Sequence, residues 1–286
     1  MSKIQLIECP RDAMQGIKPF IPTEKKIEYL NLLLQAGFHT LDFGSFVSPK
    51  AIPQMQDTPE VLKGLKLQNT STQLLAIVAN LRGAKDATSF DEISYLGYPF
   101  SVSETFQQKN ANRGIEESLQ DVEEIQKLCS KSGKELVIYL SMGFGNPYGD
   151  EWSPEIVKYW TKRLKEMGVK MLALSDTVGN ADVNDIKELF ETLIPAHPDV
   201  TFGAHFHSRP ENWHQKVEAA YNAGCKRFDS TVKGYGGCPM AKDDLVGNLS
   251  TENLLSFLDN QGIDTGVDKE VIRKAAAMAP NVMEPV

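Results

Sequence analysis

Apolar residues along the 286-residue chain recur in two registers. Short runs rich in Ile, Leu, Val and Phe stand at 4–9 (IQLIEC), 39–44 (HTLDFG), 73–79 (QLLAIVA), 92–98 (EISYLGY), 135–141 (ELVIYLS), 170–175 (KMLALS), 200–206 (VTFGAHF) and 226–232 (KRFDSTV). Their lengths and β-branched content predict strands. Longer amphipathic stretches at helical spacing lie between them. TEKKIEYLNLLLQAGF (23–38) predicts a helix capped by Thr23, with charges in its first turn and a stop at Gly37. SPEIVKYWTKRLKEMGV (153–169) repeats the device, with Ser153 as cap, Pro154 in the first helical position and Gly168 at the stop.

Strands separated by helices imply parallel pairing through right-handed crossovers. Eight such units predict a (β/α)8 TIM barrel. An open doubly wound sheet would want a glycine-rich turn after its first strand, and the chain instead runs into PRDAMQ. No linker-like or low-complexity tract interrupts the pattern, so residues 1–286 are expected to form a single catalytic domain. The stretch at about 250–286, opening STENLLSFLDN, is expected to add a pair of C-terminal helices packed against the barrel.

That fold places its chemistry where strands end and βα loops begin. Arg11 and Asp12 follow the first strand, Asp42 lies at the end of the second, Asp176 ends the sixth, and His205 and His207 end the seventh. Alternate residues on a strand face the same side, so both imidazoles of AHFH can project into the barrel mouth while Phe206 packs outward. A lone HxH is equally compatible with two hydrogen-bonded histidines and no metal. With Asp12 and Asn248 at the same rim, the four make an oxygen and nitrogen shell without sulfur, suited to Mg2+ or Mn2+. Arg11 reads either as a structural ion pair or as a fixed cation for a developing oxyanion or enolate. Asp42 and Asp176 read individually as loop or helix caps, and their shared barrel end makes them candidates for catalysis.

Composition narrows the choice of partners. The chain carries 30 Lys plus Arg against 38 Asp plus Glu, a net charge of −8, which argues against nucleic acid. No apolar run approaches the length needed to span a bilayer, and MSKIQLIECP lacks the apolar core of a signal peptide, so a cytoplasmic protein with no membrane partner is expected. Four cysteines without paired spacing fit a reducing compartment. Cys9, Cys129 and Cys225 read as small core residues. Cys238 is different: it sits in GGCPMAKDDLVGN (236–248), flanked by glycines and a proline.

RDAMQ after the first strand, SFVSPKAIPQMQDTPEVLKGL (45–65), LSDTVG (174–179), AHFH, and GYGGCPMA followed by GNLSTEN together resemble the 3-hydroxy-3-methylglutaryl-CoA lyases, from about residue 4 to about residue 268. HxH and the Arg-Asp pair are shared with metal-dependent aldolases and Claisen-type synthases of the same superfamily; SFVSP and the GGCP loop mark the lyases. The resemblance implies cleavage of hydroxymethylglutaryl-CoA, a small-molecule acyl-CoA, to acetyl-CoA and acetoacetate. It assigns Asp12, His205, His207 and Asn248 as metal ligands, Arg11 as the enolate-stabilising cation, Asp176 as a catalytic carboxylate and Cys238 as the loop acid. It further implies that Glu252 tunes that acid, that Lys18 lies near the CoA arm, and that the barrel is a homodimer.

A thiol can act as a weak acid close to neutrality, and flanking glycines let a loop close over bound substrate. The sequence departs from the family pattern in four places. Asp42 stands where the family has Glu, Ser208-Arg209 follow the HxH pair in place of Asp-Thr, one extra residue lies between Cys238 and Asn248, and GFGNPYGDEW replaces a cysteine-bearing stretch after the fifth strand. A related aldolase or condensing synthase acting on another hydroxy acid, and a non-enzymatic metal-binding barrel, remain alternative readings.

Overall fold

The computed structural model describes residues 4–237 and 246–284. Eight strands, β1 (Gln5–Glu8), β2 (Thr40–Ser45), β3 (Gln73–Ile77), β4 (Ile93–Ser101), β5 (Glu135–Ser141), β6 (Met171–Asp176), β7 (Thr201–Phe206) and β8 (Arg227–Ser230), pair in sequence order into a closed barrel. Every pairing is parallel, and β8 closes on β1 with Gln5 opposite Arg227 and Ile7 opposite Asp229. Each predicted strand is present, with ends shifted by a few residues.

The helices are α1 (Pro10–Gln15), α2 (Thr23–Leu33), α3 (Thr58–Lys63), α4 (Leu81–Thr88), α5 (Glu104–Ala111), α6 (Ile115–Ser132), α7 (Pro154–Glu166), α8 (Val183–Ala196), α9 (Trp213–Asn222), α10 (Thr251–Asn260) and α11 (Lys269–Met283). Helix α7 starts as its sequence predicts, with the Ser153 side chain accepting from the Ile156 N–H and Pro154 in the first turn. Helix α2 does not. Pro22 takes the cap position, and the Thr23 hydroxyl donates to Asp57 instead (2.8 Å), a tie to the next βα unit that outcompetes a local cap. The C-terminal pair packs against the barrel: α10 against α9, and α11 against α2, which completes the helical ring.

Strand alternation sorts the core into two layers. One face of each strand packs against the helices through residues such as Leu41, Leu96, Ile138, Leu172 and Phe206. The other fills the barrel interior with Leu75, Ile77, Tyr95, Val137, Tyr139, Met171 and Ala173. Cys9, Cys129 and Cys225 are buried as expected, and burial pushes the thiols of Cys129 and Cys225 up to about 12, which keeps them protonated and inert.

Glu8 ends β1 and is 1 % exposed. One carboxyl oxygen accepts from the Val232 N–H (2.8 Å), and the other lies 2.5 Å from the Thr251 hydroxyl, which in turn lies 2.9 Å from the Ser230 hydroxyl. Burial, prevailing over the hydrogen bonds that Glu8 accepts from Thr251 and Val232, pushes its carboxyl up to about 8, so near pH 7 it is mostly neutral. The folded chain thus retains a proton that the unfolded chain releases above about pH 4.5. Stability from this group is therefore present below pH 4.5 and is lost as pH rises towards 8. Glu8→Gln mimics the neutral acid, and its melting temperature is expected to match the parent near pH 4.5 and to exceed it by roughly a few degrees at pH 8.5. A pH-independent difference between the two proteins contradicts this account of Glu8.

Candidate metal and catalytic site

The site forms at the C-terminal mouth of the barrel, from β1, β2, β7 and the segment after β8. Pro10 fixes the first turn of α1 directly after β1, and that turn presents Arg11 and Asp12, both 7 % exposed, over the barrel axis. Arg11 grips Asp42 with Nε (3.0 and 3.2 Å) and Nη2 (2.5 Å), while its Nη1 donates to Asp12 (3.0 Å) and Gln15 (2.8 Å). Burial works against the guanidinium charge, and Asp42 and Asp12 outweigh it, so the cation is fixed. The Asp42 carboxyl is fully buried and is pushed up to about 6, burial prevailing over the charge and hydrogen bonds of Arg11.

On β7, Phe202, Ala204 and Phe206 face the helices, which turns His205 inward, and His207 follows on the same side. The two imidazole centroids lie 5.5 Å apart. Asp12, His205 and His207 each offer a ligand atom, and these atoms lie within 4.8 Å of one another. Asn248, paired to His207 across an isolated bridge, donates through Nδ2 to Asp12 (2.7 Å) and to the Tyr235 carbonyl (3.0 Å), leaving its Oδ1 as the potential ligand atom. The chain passes so close here that a Cβ on Gly236 would stand 2.7 Å from Asn248 Nδ2 and 2.9 Å from the Asp12 carbonyl; its φ of +94° also favours glycine.

The charges of this cluster are mutually dependent. Burial would raise the Asp12 pKa, but Arg11, His205, His207 and the Asn248 hydrogen bond hold it below the usual carboxylate value. Burial would lower the His205 pKa, but the hydrogen bond and charge of Asp229, with the charge of Asp12, hold it above the usual imidazole value. His207 is pushed down to about 4 by burial and by the neighbouring His205, and is neutral near pH 7. Its Nδ1 is buried without a hydrogen-bond partner among the described residues. An orphaned imidazole nitrogen beside a carboxylate and a second imidazole, with no sulfur ligand, fits a hard divalent cation.

A cavity of about 350 Å³ opens over the cluster. Arg11, Asp12, His205 and His207 line one side, and Val47, Ile52, Ile77 and Phe106 supply apolar wall. Of the other expected residues, Lys18 is exposed and does not line this cavity. Glu252, in the first turn of α10, accepts from the Lys233 N–H (2.9 Å) and the Ser250 hydroxyl (2.8 Å), bracing the turn that leads to Gly236 and Gly237. Asp176 is 1 % exposed and alternates with Ser175 and Thr177, which do line the cavity. Its carboxylate accepts from Lys216 Nζ (2.6 Å) and from the N–H groups of Asn180 and Ala181, and its carbonyl accepts from the His207 N–H (3.3 Å). Cys238 lies outside the described residues.

Four side chains at the site escape a reading of the sequence. Gln15 bridges Arg11 and Asp12, one turn along α1. Lys216 reaches from α9 to Asp176 and to the carbonyls of Gly179 and His207. Asp229 contacts His205 Nδ1 (3.2 Å), and Arg227 holds Asp229 (2.9 Å). The available signal for the last two is a pair of charges two apart inside a strand, which places both on one face.

Residues 3–279 match the HMGL-like family model. The chain is 35 % identical over 268 residues to the cytoplasmic 3-hydroxy-3-methylglutaryl-CoA lyase of Danio rerio, covering 93 % of this chain and 78 % of that one. It is 34 % identical over 278 residues to the mitochondrial hydroxymethylglutaryl-CoA lyase of Bos taurus, covering 96 % and 84 %. The crystal structure of the HMG-CoA lyase of Bacillus subtilis superposes with a TM-score of 0.92 at 31 % identity, covering 99 % of this chain and 95 % of that one. That of Acinetobacter baumannii, in complex with coenzyme A and 3-methylmalate, superposes with a TM-score of 0.91 at 28 % identity, covering 99 % and 92 %. By sequence and by fold, the chain belongs to the HMGL-like family of lyases.

Proposed function

We propose that this protein is a carbon–carbon lyase that uses Mg2+ or Mn2+ to cleave 3-hydroxy-3-methylglutaryl-CoA to acetyl-CoA and acetoacetate, acting in the cytoplasm as a homodimer. The observation that carries the reading is the convergence of Asp12, His205 and His207 within 4.8 Å, beside the Arg11 cation at the floor of a cavity. Named cytoplasmic lyases among the relatives support the location, and no helix among the described residues is long and apolar enough to cross a membrane. Coenzyme A in the Acinetobacter baumannii enzyme supports an acyl-CoA substrate.

Asp12, His205, His207 and Asn248 would hold the cation, which when bound supplies a Lewis acid that raises the acidity of a substrate hydroxyl. The remaining work falls to the chain. The 3-hydroxyl proton passes to a neighbouring histidine as C3 becomes a carbonyl and the C2–C3 bond breaks, and the bonding pair passes to the thioester as an enolate. Arg11, already oriented by Asp42 and Gln15, places a fixed positive charge where that negative charge develops. Cys238 then returns a proton to C2, giving acetyl-CoA. In support, Gly236, two residues before Cys238 in the sequence, packs directly on Asp12 and Asn248. Glu252 braces the approach to it through Lys233. Asp42 acts through Arg11, and Asp176, bound to Lys216, acts through the backbone of His207. Lys18, on the exposed surface beyond α1, keeps its proposed part near the CoA arm.

Release of acetyl-CoA from hydroxymethylglutaryl-CoA, measured against a panel of other 3-hydroxyacyl-CoAs and free hydroxy acids with Mg2+ or Mn2+, tests the reaction and the substrate together. Metal-dependent turnover fastest on hydroxymethylglutaryl-CoA is expected; cleavage of a free hydroxy acid instead would assign a sister activity. Arg11→Met is expected to lower turnover by roughly 10² to 10³ while leaving Mn2+ affinity nearly intact. Parallel loss of metal binding would make Arg11 structural. Cys238→Ser is expected to lower turnover by roughly 10² to 10⁴ with substrate binding little changed. Near-full activity would exclude the thiol as the acid.

A further inference from the structure

The barrel interior beneath the site carries a charge pair that the proposed reaction does not use. Arg227 and Asp229 are 4 % and 2 % exposed on β8, and alternation points both inward. The Arg227 side chain occupies space that a strand neighbour leaves open: a Cβ on Gly203 would stand 2.8 Å from Arg227 Nη1 and 3.1 Å from its Cδ. From there Arg227 donates to Asp229 Oδ1 (2.9 Å), while Asp229 Oδ2 lies 3.2 Å from His205 Nδ1. The Tyr139 ring meets His205 edge to face, with centroids 5.4 Å apart and planes at 79°. Removing a buried ion pair from a barrel core in favour of apolar residues is often neutral or stabilising, so packing alone does not account for this column.

We propose that Asp229, oriented by Arg227, is a positioning residue that fixes the tautomer and ring orientation of His205 for metal binding. A carboxylate can only accept, so His205 Nδ1 must donate, which leaves the Nε2 lone pair free to ligate. Arg227 can only donate, so it holds Asp229 in the one orientation that serves His205. Tyr139 prevents the imidazole from turning away. The inference rests on the metal-site reading of Asp12, His205 and His207, and it extends that shell to residues beneath it.

The geometry makes an unusual prediction for Asp229→Asn, which changes one atom. Arg227 will recruit the amide oxygen, turning the amide nitrogen towards His205 Nδ1. His205 Nδ1 must then accept from it, the imidazole proton moves to Nε2, and the ligand position is blocked. Removing Arg227 from the same background frees the amide to flip and offer its oxygen to His205. Mn2+ affinity, read from the electron paramagnetic resonance signal of free Mn2+ alongside far-ultraviolet circular dichroism, tests this. Asp229→Asn is expected to weaken Mn2+ binding about 10- to 100-fold with the barrel intact. The double variant Arg227→Met/Asp229→Asn, which also removes the buried unpaired charge that would threaten folding, is expected to recover most of that loss. An Asp229→Asn protein that binds Mn2+ within about twofold of the parent, or a double variant as weak as the single, overturns the proposal while leaving the metal site standing. A parent protein that binds no Mn2+ overturns both.

Discussion

Asp12 is a carboxylate 7 % exposed at the mouth of a largely apolar barrel, and an ion in such a place costs several kcal/mol unless partners compensate it. Its partners come from its own turn and from distant parts of the chain: Arg11 beside it, His205 and His207 from β7, and Asn248 from the segment after β8. Those groups surround Asp12 only once β8 has paired with β1. Closure of the barrel and assembly of the site are therefore coupled, and the fold is bound to the charge it encloses. The same constraint explains why Gly236 must be small, since the backbone it belongs to is pressed against Asp12 and Asn248.

Around that charge the side chains divide by what they can tolerate. Arg11 keeps its proton in any surroundings and so can hold two carboxylates at once. His205, supported by Asp229, tolerates positive charge, whereas His207, next to it and without such support, is held neutral. A neutral imidazole with an unpartnered nitrogen, an ionised carboxylate and a permanently charged guanidinium at one cavity form an arrangement polarised before any ligand arrives. Preorganisation of that kind is what stabilisation of a developing enolate requires, because no dipole has to turn during the reaction. The short Asp42 side chain reaches Arg11 at 2.5 Å, so an aspartate at the end of β2 is long enough to hold the guanidinium.

Much of this was legible in the sequence because the relevant periods are short. Eight apolar runs gave eight strands, and the two-residue period of AHFH was enough to put both imidazoles on one side. Arg11 and Asp12 were readable from their place after β1. The residues that escaped share a physical reason. Lys216 sits in a polar helical stretch that looks solvent-facing, yet its aliphatic stem is buried and its ammonium crosses to Asp176, forty residues away in sequence. Asp229 and Arg227 look like ordinary members of a strand, and their pairing depends on Gly203 of the neighbouring strand leaving room. Asp176 was visible as an acid at a strand end, but not that strand alternation turns it outward to Lys216 while Ser175 and Thr177 face the cavity. Thr23 failed as a cap because Asp57, contributed by the following unit, competes for its hydroxyl.

The central claim is that the cluster at the barrel mouth is a divalent-metal centre. A crystal structure of the protein soaked with Mn2+, with data collected to record the anomalous signal of manganese, tests it most directly. The account predicts one strong peak about 2.0 to 2.6 Å from a single atom of each of Asp12, His205, His207 and Asn248. A peak lodged elsewhere, or a cluster whose imidazoles turn away from the ion, would contradict it.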